Sequence, residues 1–180
     1  PEFDPVLGPE MRSTGEVMGI SDTVGNAFAK AQLAADHALP EGGAVLITVN
    51  DFDKKHIGAI AKRFAKLGFE LLATAGTAKY LREQGLEVES VLKVYEGRPH
   101  GIDLMLNGLV SLLINTPSGK HSQKDDYSLR QAAIANRVAY TTTLSAAREA
   151  LSVMEAQRDH APTVCSLQAW HMMLITPVAV

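Results

Sequence analysis

The sequence is poor in cysteine, in aromatic residues and in clustered metal-binding side chains. Its 180 residues include one cysteine, Cys165, and six histidines that are scattered without the spacing of metal ligands. A single cysteine cannot form a disulfide within the chain, and isolated histidines do not predict a structural zinc site. Aromatic residues make up 6% of the sequence, yet apolar residues make up 46%. A chain of this size and composition can therefore bury a core that is stable without a metal or a cross-link.

The sequence also lacks a surplus of charge of either sign and lacks a long apolar run. Its 17 Lys and Arg residues against 20 Asp and Glu residues give a net charge of −3. Proteins that wrap duplex nucleic acid usually carry a clear basic surplus. No stretch approaches the roughly 20 apolar residues of a bilayer-spanning helix, and the amino terminus lacks the pattern of a secretory signal. These absences predict a cytoplasmic protein that binds neither nucleic acid nor membrane.

Short apolar segments with little alternation of polar residues predict strands that are covered on both faces. In chain order they are residues 44–49, 69–73, 88–94, 110–114 and 138–141. Helical patterns lie between and after them, at residues 53–67, 125–136 and 143–156. The first of these ends at Gly68, a typical residue after a helix. The alternation predicts an α/β domain of three layers, in which helices flank a mostly parallel five-stranded sheet.

The two ends of the chain do not fit this alternation. Residues 1–24 are rich in proline and glycine, and the segment is too short to form a hydrophobic core of its own. Residues 1–3 are typical of an expression-vector scar. An alanine-rich segment at residues 26–39 predicts a linking helix, and residues 172–180 fit either a terminal strand or a frayed tail. We therefore divide the chain into an arm (1–24), one domain (25–171) and a tail (172–180).

Polar side chains follow the predicted strands, where ligands bind in an open parallel sheet. Among them are Lys54, Thr74, Thr77, Lys93, Asn115, Thr116 and three successive threonines, Thr141 to Thr143. Hydroxyl and ammonium groups at the starts of helices suit a phosphate, because backbone N–H groups and the helix dipole also favour an anion there. Each hydroxyl alone is better explained as a helix N-cap. The prediction of a phosphate site therefore depends on the fact that such side chains follow several strands of the same sheet.

Signals for catalysis are weak. Asp103 and Asp125 could act as general acid and base, but carboxylates at such positions more often cap helices or pair with a nearby cation. His100 lies beside Arg98 and Pro99, and a lone histidine in a proline-containing loop is more often structural than catalytic. The chain has no G-x-x-x-x-G-K-[ST], G-x-G-x-x-G or G-x-S-x-G motif, and Cys165 has no evident activating base. We therefore assign no catalytic residue.

Two stretches resemble a known family. Residues 7–19 are similar to the end of the second ATP-grasp module in the large subunit of carbamoyl phosphate synthetase. The Thr74-x-Gly76-Thr77 motif, the Lys93 to His100 run and Ile114-Asn115-Thr116 resemble that subunit's C-terminal allosteric domain, a member of the methylglyoxal synthase-like group. The resemblance extends over roughly residues 4–171. It implies that the chain is a fragment of a ligase.

The resemblance implies the chemistry of the complete enzyme. That enzyme combines glutamine-derived ammonia, bicarbonate and two ATP into carbamoyl phosphate for arginine and pyrimidine biosynthesis. Its ATP and its Mg or Mn ions belong to upstream modules, and its ammonia comes from a glutaminase small subunit. The fragment itself is expected to carry no cofactor and no catalytic activity, and to bind a UMP- or IMP-type nucleotide effector.

The resemblance also assigns roles to residues of this chain. It places the effector phosphate at Lys54, Thr74, Thr77 and Lys93, and the nucleoside near Asn115, Thr116 and Asp125. Pro117 departs from the family, which has a hydroxyl residue there, and it offers neither a hydroxyl nor an N–H. In some members ornithine binds beside positions that match Tyr140 and Thr142. Because its acidic ligands come from the preceding module, we expect this chain not to bind ornithine.

Two alternatives remain. The first is methylglyoxal synthase, which eliminates phosphate from dihydroxyacetone phosphate on the same fold, with Asp103 close to its catalytic aspartate. The arm at residues 7–19 and the Arg98 to Asp103 sequence, where that enzyme carries Gly-Gly-Asp, argue against it. The second is a structural oligomerisation domain, since the sequence leaves a homo-oligomer open.

Overall fold

The computed structural model of the protein describes residues 17–35, 38–117, 123–159 and 164–175. Its helices are α1 (Val24–Ala34), α2 (Asp51–Lys66), α3 (Ala75–Glu83), α4 (Gly101–Leu106), α5 (Gln123–Ala135), α6 (Leu144–Asp159) and α7 (Leu167–Ile175). Its strands are β1 (Ala44–Thr48), β2 (Glu70–Thr74), β3 (Glu89–Val91), β4 (Leu112–Asn115) and β5 (Ala139–Thr141). Within these ranges, none of the helices has both the length and the hydrophobicity that crossing a membrane requires.

The five strands form one sheet with the order β3-β2-β1-β4-β5, and every pairing is parallel. This confirms the predicted α/β architecture. The chain first builds the sheet outward from β1 through β2 to β3, and then returns to the other side of β1 to add β4 and β5. Such a reversal separates the loops that follow β1 and β4 and opens a crevice at the carboxyl edge of the sheet.

The sheet separates two hydrophobic clusters. The larger lies on the side of α2, α3 and α6, where Phe64 is fully buried and its ring meets that of Phe69 edge-to-face at 5.5 Å. The smaller lies on the side of α4 and α5 and includes Leu46, Met105 and Leu129. Because both faces of the central strands are covered, most residues of β1, β2 and β4 are apolar, as the sequence indicates. The edge strand β3 differs, since two of its three residues are polar and exposed.

Helix α2 matches its sequence signals closely. Its N-cap is Asn50, whose side-chain oxygen accepts a hydrogen bond from the N–H of Asp53 at 2.9 Å. Acidic residues occupy the first turn and basic residues the last, as the helix dipole favours. The helix ends at Lys66, and Gly68 then adopts a φ of +83°, a conformation that glycine tolerates better than other residues.

Three predicted boundaries require correction. Strand β3 covers three residues rather than the expected 88–94, because the Glu96 carboxylate accepts the N–H of Lys93 and turns the chain away from the sheet. Helix α1 ends at Ala34, short of the predicted residue 39. Residues 172–175 belong to α7, so neither a strand nor a frayed tail is correct there. Residues 7–16 of the arm and 176–180 of the tail lie outside the described residues.

An ion pair joins α2 to α6. Arg63 donates from Nε to Glu155 Oε1 at 2.9 Å and from its Nη2 to Glu155 Oε2 at 2.6 Å. The same Nη2 donates to the hydroxyl of Ser152 at 3.0 Å. The guanidinium of Arg63 lowers the pKa of the Glu155 carboxyl below its ordinary value of 4.5, although partial burial acts in the opposite direction. Glu155 therefore stabilises the fold in its ionised form.

We expect Arg63→Gln to lower the free energy of unfolding near pH 7 by about 0.5–1 kcal/mol, because water screens a pair that is partly exposed. A carboxyl whose pKa is lowered in the folded state contributes stability above its ordinary pKa, and loses it as the pH falls through the folded value. The difference between variant and wild type should therefore shrink as the pH falls below 4.5. Urea unfolding at neutral and acidic pH measures this, and an unchanged difference would contradict it.

Candidate functional site

Two adjoining cavities open at the carboxyl edge of the sheet. The first, which we call the basic cavity, has a volume of about 430 Å³ and is lined by Thr48, Val49, Asn50, Asp51, Phe52, Lys54, Thr74, Gly76, Thr77, Lys93 and Pro117. The second, the apolar cavity, has a volume of about 260 Å³ and is lined by Leu46, Thr48, Thr74, Val91, Leu92, Lys93, Val94, Tyr95, Gly101, Asp125, Asp126 and Leu129. Thr48, Thr74 and Lys93 line both, so the two cavities meet at these side chains.

The basic cavity brings together the four residues to which the resemblance assigns a phosphate. Lys54 comes from α2, Thr74 from the end of β2, Thr77 from α3 and Lys93 from the loop after β3. Parallel strands place their carboxyl ends on one edge, so residues far apart in sequence meet there. The convergence of these side chains is thus observed, while their binding of a phosphate stays a prediction.

Two of the hydroxyls are not explained as helix caps. Thr74 occupies the N-cap position of α3, but its side chain makes no capping hydrogen bond. Thr77 is 1% exposed, and its hydroxyl oxygen has no hydrogen-bond partner among the described residues. Buried polar groups are nearly always paired, because an unpaired one costs free energy. By contrast, the hydroxyl of Thr143 accepts the N–H of Ala146 at 3.1 Å and is an ordinary cap.

The two lysines differ in their surroundings. Lys54 Nζ lies 2.5 Å from Asp51 Oδ1, and a Cβ atom placed on Gly76 would approach the same Nζ to 3.1 Å. Glycine at position 76 therefore leaves room for the ammonium group beside the first turn of α3. Lys93 Nζ lies 5.7 Å from the centroid of the Tyr95 ring, within the range of a cation–π contact. Both ammonium groups are thus held near the cavity by neighbours on the protein.

The apolar cavity combines aliphatic and aromatic lining with carboxylates. Leu46, Val91 and Leu129 form part of its wall, and Tyr95 is exposed at its side. Gly101 must be small, because a Cβ atom there would come within 2.7 Å of Leu46 Cδ2. Asp125, a predicted nucleoside contact, lines this cavity from the first turn of α5. The site therefore offers a cationic compartment beside one that combines apolar side chains with two carboxylates.

Asn115 and Thr116 are buried at the end of β4, but they do not line either cavity. The Thr116 hydroxyl accepts hydrogen bonds from the backbone N–H of Asn50 at 3.0 Å and from its side-chain amide at 3.1 Å. The Asn115 amide donates to the carbonyl of Asp126 at 3.4 Å. Contact between these two residues and a nucleoside stays a prediction. Sequence reasoning missed the link between Asn50 and Thr116, which no local pattern signals.

The residues assigned to ornithine lie away from both cavities. Tyr140 packs from β5 against the smaller hydrophobic cluster, and Thr142 follows that strand directly. Neither residue lines the basic or the apolar cavity. Their role toward an amino acid stays a prediction.

Asp103 caps a helix. Its carboxylate accepts the backbone N–H of His100 at 2.9 Å, while the His100 ring accepts the N–H of Asp103 at 3.4 Å, which closes a reciprocal capping box at the start of α4. Arg98 lies 3.4 Å from its other oxygen. Asp103 does not line either cavity. The structural explanation of the Arg98, His100 and Asp103 cluster is therefore the one that the geometry supports.

The sequence is similar to known proteins over almost its whole length. The family model described as the MGS-like domain matches residues 56–142. The chain is 62% identical to the carbamoyl phosphate synthase large chain of Gemmatimonas aurantiaca, across 99% of this chain and 16% of the relative. It is 49% identical to the carbamoyl phosphate synthase large chain, C-terminal section, of Methanopyrus kandleri, across 98% of this chain and 33% of the relative. The chain therefore spans a third or less of these relatives.

A solved structure shares the fold. Methylglyoxal synthase from Elizabethkingia anophelis matches with a TM-score of 0.54 over 63% of this chain and 80% of that chain, at 19% sequence identity. At this identity the match supports the architecture alone. The family resemblance drawn from the motifs between Thr74 and Thr116 is confirmed by the sequence matches.

Proposed function

We propose that the chain is a regulatory nucleotide-binding domain. The basis is its family: residues 56–142 form a domain of the MGS-like family, and the chain is a homologue of part of the carbamoyl phosphate synthase large chain. Its ligand is a nucleoside monophosphate of the UMP or IMP type. The observation that carries the proposal is the convergence of Lys54, Thr74, Thr77 and Lys93 on one cavity that adjoins a second cavity with an aliphatic wall.

The two compartments match the two halves of a nucleotide. In the basic cavity, two ammonium groups and two hydroxyls without capping bonds can satisfy the oxygens of a phosphate, and the first turn of α3 adds its dipole. Thr74 and Lys93 line both cavities, so a phosphate held there lies next to the apolar cavity. A nucleobase can then bury its faces against Leu46, Val91 and Leu129.

Regulation follows from thermodynamic linkage. A ligand that prefers one arrangement of the large chain shifts the equilibrium toward it, and such couplings are typically about 1–3 kcal/mol. In the complete enzyme the synthesis of carbamoyl phosphate, its ATP and metal ions, and the glutaminase partner belong to parts outside this chain. The chain itself binds the effector without turnover. Its place is the cytoplasm, in the arginine and pyrimidine pathways.

Calorimetry with UMP, IMP and uridine tests this function. We expect UMP or IMP to bind with a micromolar or weaker dissociation constant, and uridine to bind at least about tenfold more weakly, because it lacks the charged group that the lysines recognise. Incubation with dihydroxyacetone phosphate should yield no methylglyoxal, since Asp103 is engaged in the cap of α4. Turnover that Asp103→Asn abolishes would instead establish the lyase. If neither UMP nor IMP binds, the alternative of a structural oligomerisation domain is favoured instead.

A further inference from the structure

A carboxylate faces the two lysines of the basic cavity. Asp51 is the one acidic residue among the described residues that line this cavity. Its side chain is 89% exposed, and its Oδ1 lies 2.5 Å from Lys54 Nζ. It is also the first residue of α2, so its backbone is fixed while its carboxylate extends from the rim. The Lys54 ammonium group, expected to meet a phosphate, already has an anionic partner.

The surroundings of Lys54 explain why it holds a partner. Its Nζ lies beside Gly76 in the first turn of α3, where the helix dipole is positive. The charge of Lys93 lines the same cavity. A cation in such a place gains from any nearby carboxylate. The pKa of the Asp51 carboxyl is lowered below its ordinary value of 3.8 by its hydrogen bond to Lys54 and by the charge of that lysine, with a smaller contribution from Lys93.

We propose that Asp51 is an internal competitor for the phosphate: its carboxylate occupies Lys54 before a ligand binds, and an incoming anion must displace it. This rests on the proposed nucleotide site and adds to it a residue that sets its affinity. Displacement of Asp51 costs the same for every anion that reaches Lys54. Asp51 therefore lowers the affinities for a nucleotide and for free phosphate by the same factor, and it leaves the affinity for an uncharged nucleoside unchanged.

Neutralising the competitor tests the proposal. We expect Asp51→Asn to tighten the binding of UMP and of inorganic phosphate by about two- to fivefold at low ionic strength, the range for an exposed ion pair. Uridine has no charged group, so its affinity should stay unchanged. A purely structural effect on the cavity would alter uridine and UMP together. Asp51→Glu, which restores the charge, should return the affinity for UMP toward that of the wild type.

Asp22→Asn is the matched control, because it also removes one negative charge but lies outside the lining of the cavity. Thermal unfolding of each variant confirms that the fold is retained. If wild type and Asp51→Asn bind UMP with equal affinity, or if the variant binds more weakly, the proposal that Asp51 competes for Lys54 is wrong. The proposed nucleotide site would not be affected by that result. No binding of UMP or phosphate by either protein would overturn the nucleotide site and the competitor with it.

Discussion

Replacing Lys54 or Lys93 by methionine is expected to weaken UMP binding about 10- to 150-fold, which corresponds to the 1.5–3 kcal/mol of a hydrogen bond to a charged group. Methionine keeps most of the length of the side chain and removes the ammonium group. Both lysines line the basic cavity, and they reach it from different elements, so neither can substitute for the other. Calorimetric titration of each variant with UMP measures the loss.

Lys62→Met is the control for this series. Lys62 lies on the same helix as Lys54, is exposed and does not line the cavity, yet its replacement changes the net charge by the same amount. Its affinity for UMP should match that of the wild type. If all three variants bind UMP equally well, the phosphate is held elsewhere. If all three lose affinity equally, only the overall charge of the domain is being measured.

Phe64→Ala is expected to lower the free energy of unfolding by about 3–5 kcal/mol, the range for truncating a buried aromatic side chain. Phe64 is fully buried on the face of α2 that packs against the sheet, and its ring meets the Phe69 ring edge-to-face. Truncation removes this contact and leaves a cavity that the surrounding strands cannot fill. Urea unfolding followed by circular dichroism measures the change.

Phe52→Ala is the matched control, because Phe52 lies in the first turn of the same helix but is 85% exposed. Surface substitutions of this kind usually change stability by less than about 0.5 kcal/mol. A similar loss in both variants would mean that the cost does not come from the core, since alanine has the higher helix propensity of the two residues. A loss of under 1 kcal/mol for Phe64→Ala would contradict the packing described for the larger cluster.

The strands and the longer helices could be predicted because their signals are local. Uninterrupted apolar segments indicate strands that are buried on both faces. The extent of α2 is indicated by the helical period of its apolar residues and by Gly68 after its end. Helices α3 and α4 are harder to delimit because they have nine and six residues. The N-cap of α4 is a histidine paired with Asp103, and this pair lacks the serine or threonine of the usual capping box.

The candidate site, too, could be predicted only in part from the sequence. The strand-end rule locates Lys54, Thr74, Thr77 and Lys93, because the topology of a parallel sheet brings these positions to one edge. It does not reveal which hydroxyls cap helices, nor that Thr116 holds Asn50 across 66 residues of sequence. It also gives no sign that Asp51 turns toward Lys54. These contacts depend on side-chain directions that only the packed fold determines.

Helix α2 is fastened at both ends, to Thr116 through its N-cap Asn50 and to α6 through Arg63 and Glu155. Any displacement of α2 by a ligand in the basic cavity would therefore be transmitted to α6 through the Arg63–Glu155 pair. Helix α6 in turn packs against α1. The first helix of the described residues is thus linked, through α6, to the helix that carries Lys54.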